Sequence, residues 1–339
     1  MTSVSVLVAA YNAASTLPRC LDSLCRQTLA DIQILCVDDC STDETFDILE
    51  NRAKMDARIE VLQTPVNSGQ AVARNLALTK MKAPLVCMVD ADDWLSPDAL
   101  EKAVEVFHLH PKTDCCLFRL VECYEQDGRQ EDYPLPAPLE LGEALTGAEA
   151  FELCLDGWQL HGLYVTRAEL HRQIPFDTAT RLYSDDNTSR LHYLHSREVR
   201  ACTGTYYYMK HPASMTIAFS LRRFDYMEAN LSLLLSLKKE NISRPVMRRF
   251  EGSRWMTFIA CYRLYLNHIQ DIPENELAPL KERFQTVLHT FRPSRLPWSF
   301  RWRPGYWLTL SLRRFDAQQR LYLFVKRQQE KLYQKDTSS

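Results

Sequence analysis

At 339 residues, with ordinary apolar and charged fractions, a net charge of −2 and only 9 glycines, the chain has the composition of a soluble globular protein. That length suits a catalytic domain of about 200 residues with an extra lobe. Eleven scattered cysteines, with no Cys-x-x-Cys pair and no histidine partner at finger spacing, argue against structural zinc and for a reducing compartment.

Charge is unevenly spread. Residues 291–339 carry 11 Lys/Arg against 3 Asp/Glu, about +8, which leaves the remainder at about −10. No apolar segment approaches bilayer-spanning length, and a strand begins at Val4 with no leader before it. The expected location is therefore cytoplasmic.

The N-terminal third alternates strands with helices. Val4–Ala10 reads as a buried parallel strand closed by Tyr11-Asn12, and a helix follows over roughly 16–28. Ile32–Val37 is the next strand, ending in Asp38-Asp39, and Ser41 with Glu44 predicts a capping box for a helix to about Lys54. Arg58–Leu62 is a short strand. Asn67-Ser-Gly69 opens a helix that carries Arg74, and Pro84–Asp90 is an apolar strand ending in Asp90-Ala-Asp92-Asp93. Ser96 and Pro97 predict the N-cap and first residue of a helix to about His108.

Beyond it, Asp114–Glu122 reads as a strand, Asp127-Gly128 as a turn and Tyr133–Pro138 as a loop. A helix near 147–155 and a strand near 161–166 come next, then a helix led by Ser184-Asp185-Asp186 and a strand over Thr205–Lys210. From about Leu221 the pattern is helical: 221–240, 244–269, 274–290 and 305–334, with a Pro/Trp-rich connector at 293–304. The composition shift predicts a boundary near 218, separating a catalytic domain (1–218) from a helical region (219–339).

Such βαβ units predict a parallel sheet covered on both faces, with ligands outside the carboxyl ends of the strands. Tyr11-Asn12, Asp38-Asp39 and Asp90–Asp93 should then share one rim. Acids two apart in extended chain point the same way, so Asp90 and Asp92 can reach one divalent cation, and an all-oxygen site suits Mg²⁺ or Mn²⁺. A cation there would bridge the acids to a phosphate-bearing substrate. Asp38 or Asp39 could accept from a nucleobase N–H or a ribose hydroxyl, or cap the following helix. Arg74 could pair with a phosphate or with a surface acid.

Taken together, Val4-Ser-Val-Leu-Val-Ala-Ala-Tyr11-Asn12, Val37-Asp38-Asp39-Cys-Ser41-Thr42-Asp43, Asn67-Ser-Gly69 through Arg74-Asn75, and Asp90-Ala-Asp92-Asp93 resemble family 2 glycosyltransferases of the GT-A fold, in particular bacterial members that build surface polysaccharides. The resemblance is clear over 1–110 and looser to 216. It implies an α/β fold with a mostly parallel central sheet and helices on both faces; it does not cover the C-terminal helical lobe, which is read from the residue pattern alone. It also implies inverting transfer from a nucleotide diphosphate sugar, usually a UDP-sugar, to a saccharide or lipid-linked acceptor.

By position, Asp39 would hold the base with Tyr11 and Asp38 nearby, and Arg74 would meet the nucleotide or diphosphate. Asp90 would contact the ribose and metal region, and Asp92 would be the direct metal ligand. Residues 1–110 would bind the donor and 111–218 the acceptor. Asp185-Asp186 resembles the Glu-Asp pair that carries the general base, with Asp186 as the base; the residue-level alternative is a helix cap with dipole-facing acids.

Two further segments, Trp158–Tyr164 and His211–Thr216, resemble stretches lining the active site. Trp158 and His161 read better as packing residues, and His211 as a residue of a loop beside the donor. In 291–339, arginines interleave with Trp298, Phe300, Trp302, Tyr306 and Trp307, which suits peripheral membrane contact or, equally, a helical lobe with solvated arginines. Nucleic acid fits poorly with the acidic remainder.

A nucleotidyltransferase would carry a Gly-rich loop after the first strand, and an Asp-x-Asp phosphatase would place its acids there. A non-catalytic nucleotide-sugar-binding module would lose the metal acids or the base. The motifs leave the sugar, the acceptor and the oligomeric state open.

Overall fold

The computed structural model describes residues 2–155, 157–211, 219–301 and 303–336. The chain divides into two compact units, Met1–Ser220 and Leu221–Ser339. In the first, strands and helices alternate as β1 (Val4–Ala10), α1 (Leu17–Cys25), β2 (Ile32–Asp38), α2 (Thr45–Met55), β3 (Ile59–Gln63), α3 (Gln70–Leu78), β4 (Leu85–Met88), β5 (Trp94–Leu95) and α4 (Ala99–Leu109). The order continues with β6 (Thr113–Tyr124), β7 (Gln130–Tyr133), α5 (Ala137–Glu140), β8 (Leu145–Thr146), α6 (Gly147–Leu153), β9 (Tyr164–Arg167), α7 (Ala168–Gln173), α8 (Ser184–Leu194) and β10 (Glu198–Lys210).

One ten-stranded sheet runs β3-β2-β1-β4-β9-β6-β10-β5, with β7 beside β6 and β8 beside β10. It is parallel through β3-β2-β1-β4 and between β6 and β10, and antiparallel where β9, β5, β7 and β8 join. Strand residues alternate between two cores. Val4, Val6 and Val8 with Ile34 and Cys36 pack on Leu17, Leu21 and Leu24 of α1 and Leu100 of α4. Leu7, Leu35 and Val37 pack on Ala71, Ala73 and Ala77 of α3. Period-two alternation thus covers both sheet faces with helices.

Parallel register pairs Ala10 with Asp38 and Leu7 with Met88, so β1, β2 and β4 end on one rim. Strand order reverses between β1 and β4. That is the switch point where open α/β sheets bind ligands.

Several local expectations are corrected. The capping box at Ser41 and Glu44 is absent: α2 begins at Thr45, whose N–H and hydroxyl both go to Asp43 Oδ1, while Ser41 Oγ accepts from the Asn12 N–H at 3.0 Å. Helix α4 starts at Ala99 rather than Pro97, because Trp94–Leu95 pairs with β10 and Ser96 N donates to Thr205 O, holding the chain extended. The stretch read as a loop from Tyr133 contains the end of β7 and the short α5. Helix α6 has a capping box, Thr146 with Glu149, that the sequence reading did not use.

The second unit comprises α9 (Asp225–Leu237), α10 (Arg244–Asn267), α11 (Glu274–Leu288) and α12 (Leu312–Asp336), with 3₁₀ turns at Leu221–Phe224, Pro293–Arg295 and Trp298–Arg301. Its centre is aromatic: Trp255 stacks on Phe258 at 5.4 Å, and Tyr262 meets Phe284 edge-on at 4.9 Å. The expected helix from 305 begins only at Leu312. Gly305, at φ +78°, turns the chain so closely over Tyr322 that a Cβ there would lie 2.4 Å from its ring. Among the described residues no helix is long and apolar enough to cross a membrane.

Candidate active site

Strand β4 delivers three carboxylates to the switch point. Single ligand oxygens of Asp90, Asp92 and Asp93 all lie within 4.8 Å of one another. Asp93 is buried and its oxygens are occupied: Tyr206 Oη donates to Oδ2 at 2.8 Å, and the Met209 N–H to Oδ1 at 2.7 Å. Burial, then Asp90 and Asp92, push its pKa well above the usual carboxylate range. Left undecided in sequence, Asp93 is the peg that ties β10 to the acid loop.

Asp92 stays accessible. Burial and the neighbouring Asp90 raise its pKa, opposed by His211 and Arg19. Arg19 of α1 donates to the Asp92 carbonyl at 2.7 Å and lies 4.0 Å over the Trp94 ring, which fixes the loop. A cluster of this kind, made only of carboxylate oxygens close enough to share one ion, fits a hard divalent cation. Asp92 and Asp90 would hold it, since Asp93 is engaged elsewhere.

Arg74 is buried beneath the acids, its side chain only 1% exposed. Nη2 pairs with Asp90 Oδ1 at 2.5 Å and Nη1 stands 3.7 Å from Asp185 Oδ2, with no hydrogen-bond partner of its own among the described residues. Gln70 Nε2 adds a second bond to Asp90 Oδ1 at 2.9 Å. One guanidinium therefore links the loop after β4 to the first turn of α8, residues 95 apart in sequence. Its surroundings are two carboxylates rather than an open surface.

Asp38 and Asp39 are both buried. Asp39 accepts from Thr64 Oγ1 (2.7 Å) and from the Ser68 and Gly69 N–H groups (2.9 and 2.7 Å), shaping the Asn67-Ser-Gly69 turn. Gly69, at φ +95°, allows that turn. Asp38 accepts from Gln63 Nε2 at 2.9 Å and from the Ser41 N–H. Tyr11 follows β1 with its ring exposed.

Asp185 and Asp186 sit in the first turn of α8, where the helix dipole favours acids. They diverge. Asp185 turns to Arg74, while Asp186 lies under the influence of Arg190 one turn on. Burial raises the Asp186 pKa to about 7, with Asp185 adding to the rise and Arg190 opposing it. His211 bridges the far side: Nδ1 meets Glu125 Oε2 at 2.8 Å and Nε2 stands 3.8 Å from Asp92 Oδ2. Pro212–Thr216, the rest of that segment, lies outside the described residues, as does Trp302.

His161 is a core residue, its Nε2 on the Phe118 carbonyl at 3.0 Å and its Nδ1 on the Leu163 N–H at 3.2 Å; burial lowers its pKa to about 4. Trp158 lies under Arg190 at 4.4 Å. Sequence reasoning missed Tyr206, Arg19 and Gln70, whose long-range partners no local motif announces. It also missed three non-glycine residues at positive φ: Asn12 (49°), Cys40 (59°) and Tyr183 (64°). All three stand in loops beside the acids, and strained backbone concentrates at functional sites. Asn12 alone had a signal, as asparagine tolerates that conformation.

Residues 5–165 match the family described as glycosyl transferase family 2, which spans the acid loop and the loops after β1 and β2. This segment is a family 2 glycosyltransferase domain. The chain is 31% identical over 185 residues to the glycosyltransferase EpsJ of Bacillus subtilis (strain 168), an alignment covering 54% of this chain and 52% of EpsJ. It thus spans about half the length of that relative. In three dimensions it resembles S. aureus TarS 1-349 in complex with UDP-GlcNAc, with TM-score 0.73, 19% identity, and coverage of 96% of this chain and 92% of TarS. The mannosyltransferase PcManGT from Pyrobaculum calidifontis in complex with GDP-Man and Mn²⁺ follows at TM-score 0.52 and 16% identity, covering 86% and 81%. Those likenesses establish the GT-A architecture.

Proposed function

We propose that this chain transfers a sugar, with inversion, from a nucleotide diphosphate donor to a hydroxyl of a saccharide or lipid-linked acceptor in cell-surface polysaccharide synthesis. The observation that carries the reading is the link from Asp90 through buried Arg74 to Asp185 on α8, which joins the acid loop to the acids expected to hold the base. A UDP-sugar is the favoured donor, in line with the UDP-GlcNAc bound by the fold neighbour TarS.

Asp92 and Asp90 are assigned to a divalent cation, Mn²⁺ or Mg²⁺, which when bound neutralises the departing diphosphate. Asp39 and Asp38 shape the base pocket, with Tyr11 as its exposed edge. Arg74 holds positive charge under the diphosphate position and keeps Asp185 in place. Asp186 is the general base: with a pKa near 7 it is partly ionised at neutral pH and can take the acceptor hydroxyl's proton. His211 closes the acid loop from the β10 side. Residues 1–110 are assigned to the donor and 111–218 to the acceptor. The setting is the cytoplasm or the inner membrane face, reached peripherally through 291–339.

A thermal-shift screen of nucleotide-sugars with Mn²⁺ tests the donor side, since a bound ligand raises stability in proportion to RT ln(1 + [L]/Kd). The expected result is a shift with one or more UDP-sugars that EDTA and Asp92→Ala each reduce. No shift with any nucleotide-sugar contradicts the assignment.

A further inference from the structure

The helical unit holds a cavity of its own. It has a volume of about 400 Å³, within the range of small-ligand sites, and lies where α9 ends, α10 begins and the Pro293–Arg295 turn passes. Lys238, Arg244, Arg248 and Arg295 line it, against the single carboxylate of Glu240. Among the described residues, Lys238, Arg244 and Arg248 have no carboxylate within ion-pairing distance, and Arg295 reaches only the buried Glu251, at 3.8 Å. Four cations gathered round a concavity with one carboxylate in its lining repel one another, and an anion seated there relieves them. Guanidinium forks pair bidentately with phosphate and carboxylate oxygens, and a phosphate offers enough oxygens to meet several cations at once.

The rest of the wall is apolar: Leu237, which is buried, with half-buried Ile242 and Met247. The sequence beside it continues that character outward. Leu235, two residues before Leu237, is 53% exposed, and Trp298, three after Arg295, is 63% exposed. Tryptophan at such a position suits the boundary between water and hydrocarbon.

We infer that this cavity binds the phosphate of an amphiphile, a phosphate ester joined to an apolar chain, with the arginines and Lys238 on the phosphate and the apolar wall along the first carbons. The source is either a lipid-linked acceptor or a bilayer phospholipid. The link to an acceptor rests on the transferase reading, but binding itself needs neither donor nor metal, so the two can fail separately.

The test uses the full chain, without nucleotide. Farnesyl phosphate is titrated by calorimetry, and vesicles of phosphatidylcholine with and without phosphatidylglycerol are assayed by co-sedimentation. The variants are the double substitution Arg244→Glu with Arg248→Glu, both residues exposed, and the single Lys238→Glu. Circular dichroism melting confirms that each stays folded.

Farnesyl phosphate should bind, and the double variant should weaken it at least tenfold. Raised salt should weaken it as well, because the charges are at the surface. Charge-sensitive binding of farnesyl phosphate alone supports the proposal with the acceptor as source. The same sensitivity for phosphatidylglycerol vesicles supports it with the bilayer as source. Binding of neither probe, binding unchanged in both variants, or inorganic phosphate binding as tightly as farnesyl phosphate overturns it.

Discussion

Both units bury an arginine against a carboxylate, and the two pairs differ in what is left open. In the α/β unit, Arg74 is buried but its partner Asp90 is 23% exposed, and Asp185 beyond it is 35% exposed. The two acids outweigh burial and raise the Arg74 pKa. In the helical unit, Glu251 and Arg254 close on each other at 2.8 Å, with side chains 2% and 1% exposed. There burial outweighs Glu251 and lowers the Arg254 pKa. Arg254 also lies 3.9 Å over Phe291, inside the aromatic centre. A closed pair under rings serves the fold. A pair whose acids face outward keeps charge available for a ligand.

The largest effect expected from this contrast is at the open end. Asp92→Ala should cut sugar transfer by on the order of a thousandfold, because the proposed cation site would lose a charged oxygen ligand where leaving-group charge develops. Melting temperature should hardly change, since Asp92 is 43% exposed and the loop is fixed by Arg19 and Asp93. A large loss of stability would make Asp92 a structural residue like Glu251.

Next comes the base. Asp186→Asn should lower transfer by about 10²–10⁴-fold while nucleotide binding stays nearly intact, and Asp185→Asn should do less. A base must be ionised, so with the Asp186 pKa near 7 the rate should fall tenfold per pH unit below that value and level off above it. An acid limb near 4 contradicts Asp186 as the base. A larger loss in Asp185→Asn moves the role one residue back.

In the closed pair, Arg254→Met leaves the buried Glu251 charge with only the more distant Arg295, at 3.8 Å among the described residues, and should cost roughly 3–5 kcal/mol of stability by denaturant melt. Replacing Glu251 by Leu in the same chain should recover most of it. Tyr206→Phe removes the hydroxyl shared by Asp93 Oδ2 and the Asp90 N–H, for about 1–3 kcal/mol. Thr146→Ala, which breaks the α6 capping box, is the smallest, about 1 kcal/mol.

The sequence carries the half of the site that is local. Asp90-Ala-Asp92 lies on one strand end, and the strand alternation of β1, β2 and β4 places Tyr11, Asp38 and Asp90 on one rim. What it does not carry is how side chains spend their hydrogen bonds across long separations. Asp39 turns to the Ser68–Gly69 backbone, and Tyr206 reaches back 113 residues to Asp93. Arg74 is read from its motif as pairing with a phosphate or a surface acid, yet it lies on the buried side of α3 with Ala71 and Ala77, which pack against the sheet, and its guanidinium is held under the acids. Helix starts are lost for the same reason. Ser96 looks like a cap until β10 pairs with Leu95, and only tertiary contact decides between the two.

The most direct test of the central claim is release of UDP from a panel of UDP-sugars by the full chain, with Mn²⁺ and with EDTA. The account predicts release from at least one donor that is lost in EDTA, restored by Mn²⁺ and absent in Asp92→Ala. Release at full rate in EDTA, or from Asp92→Ala, would contradict it.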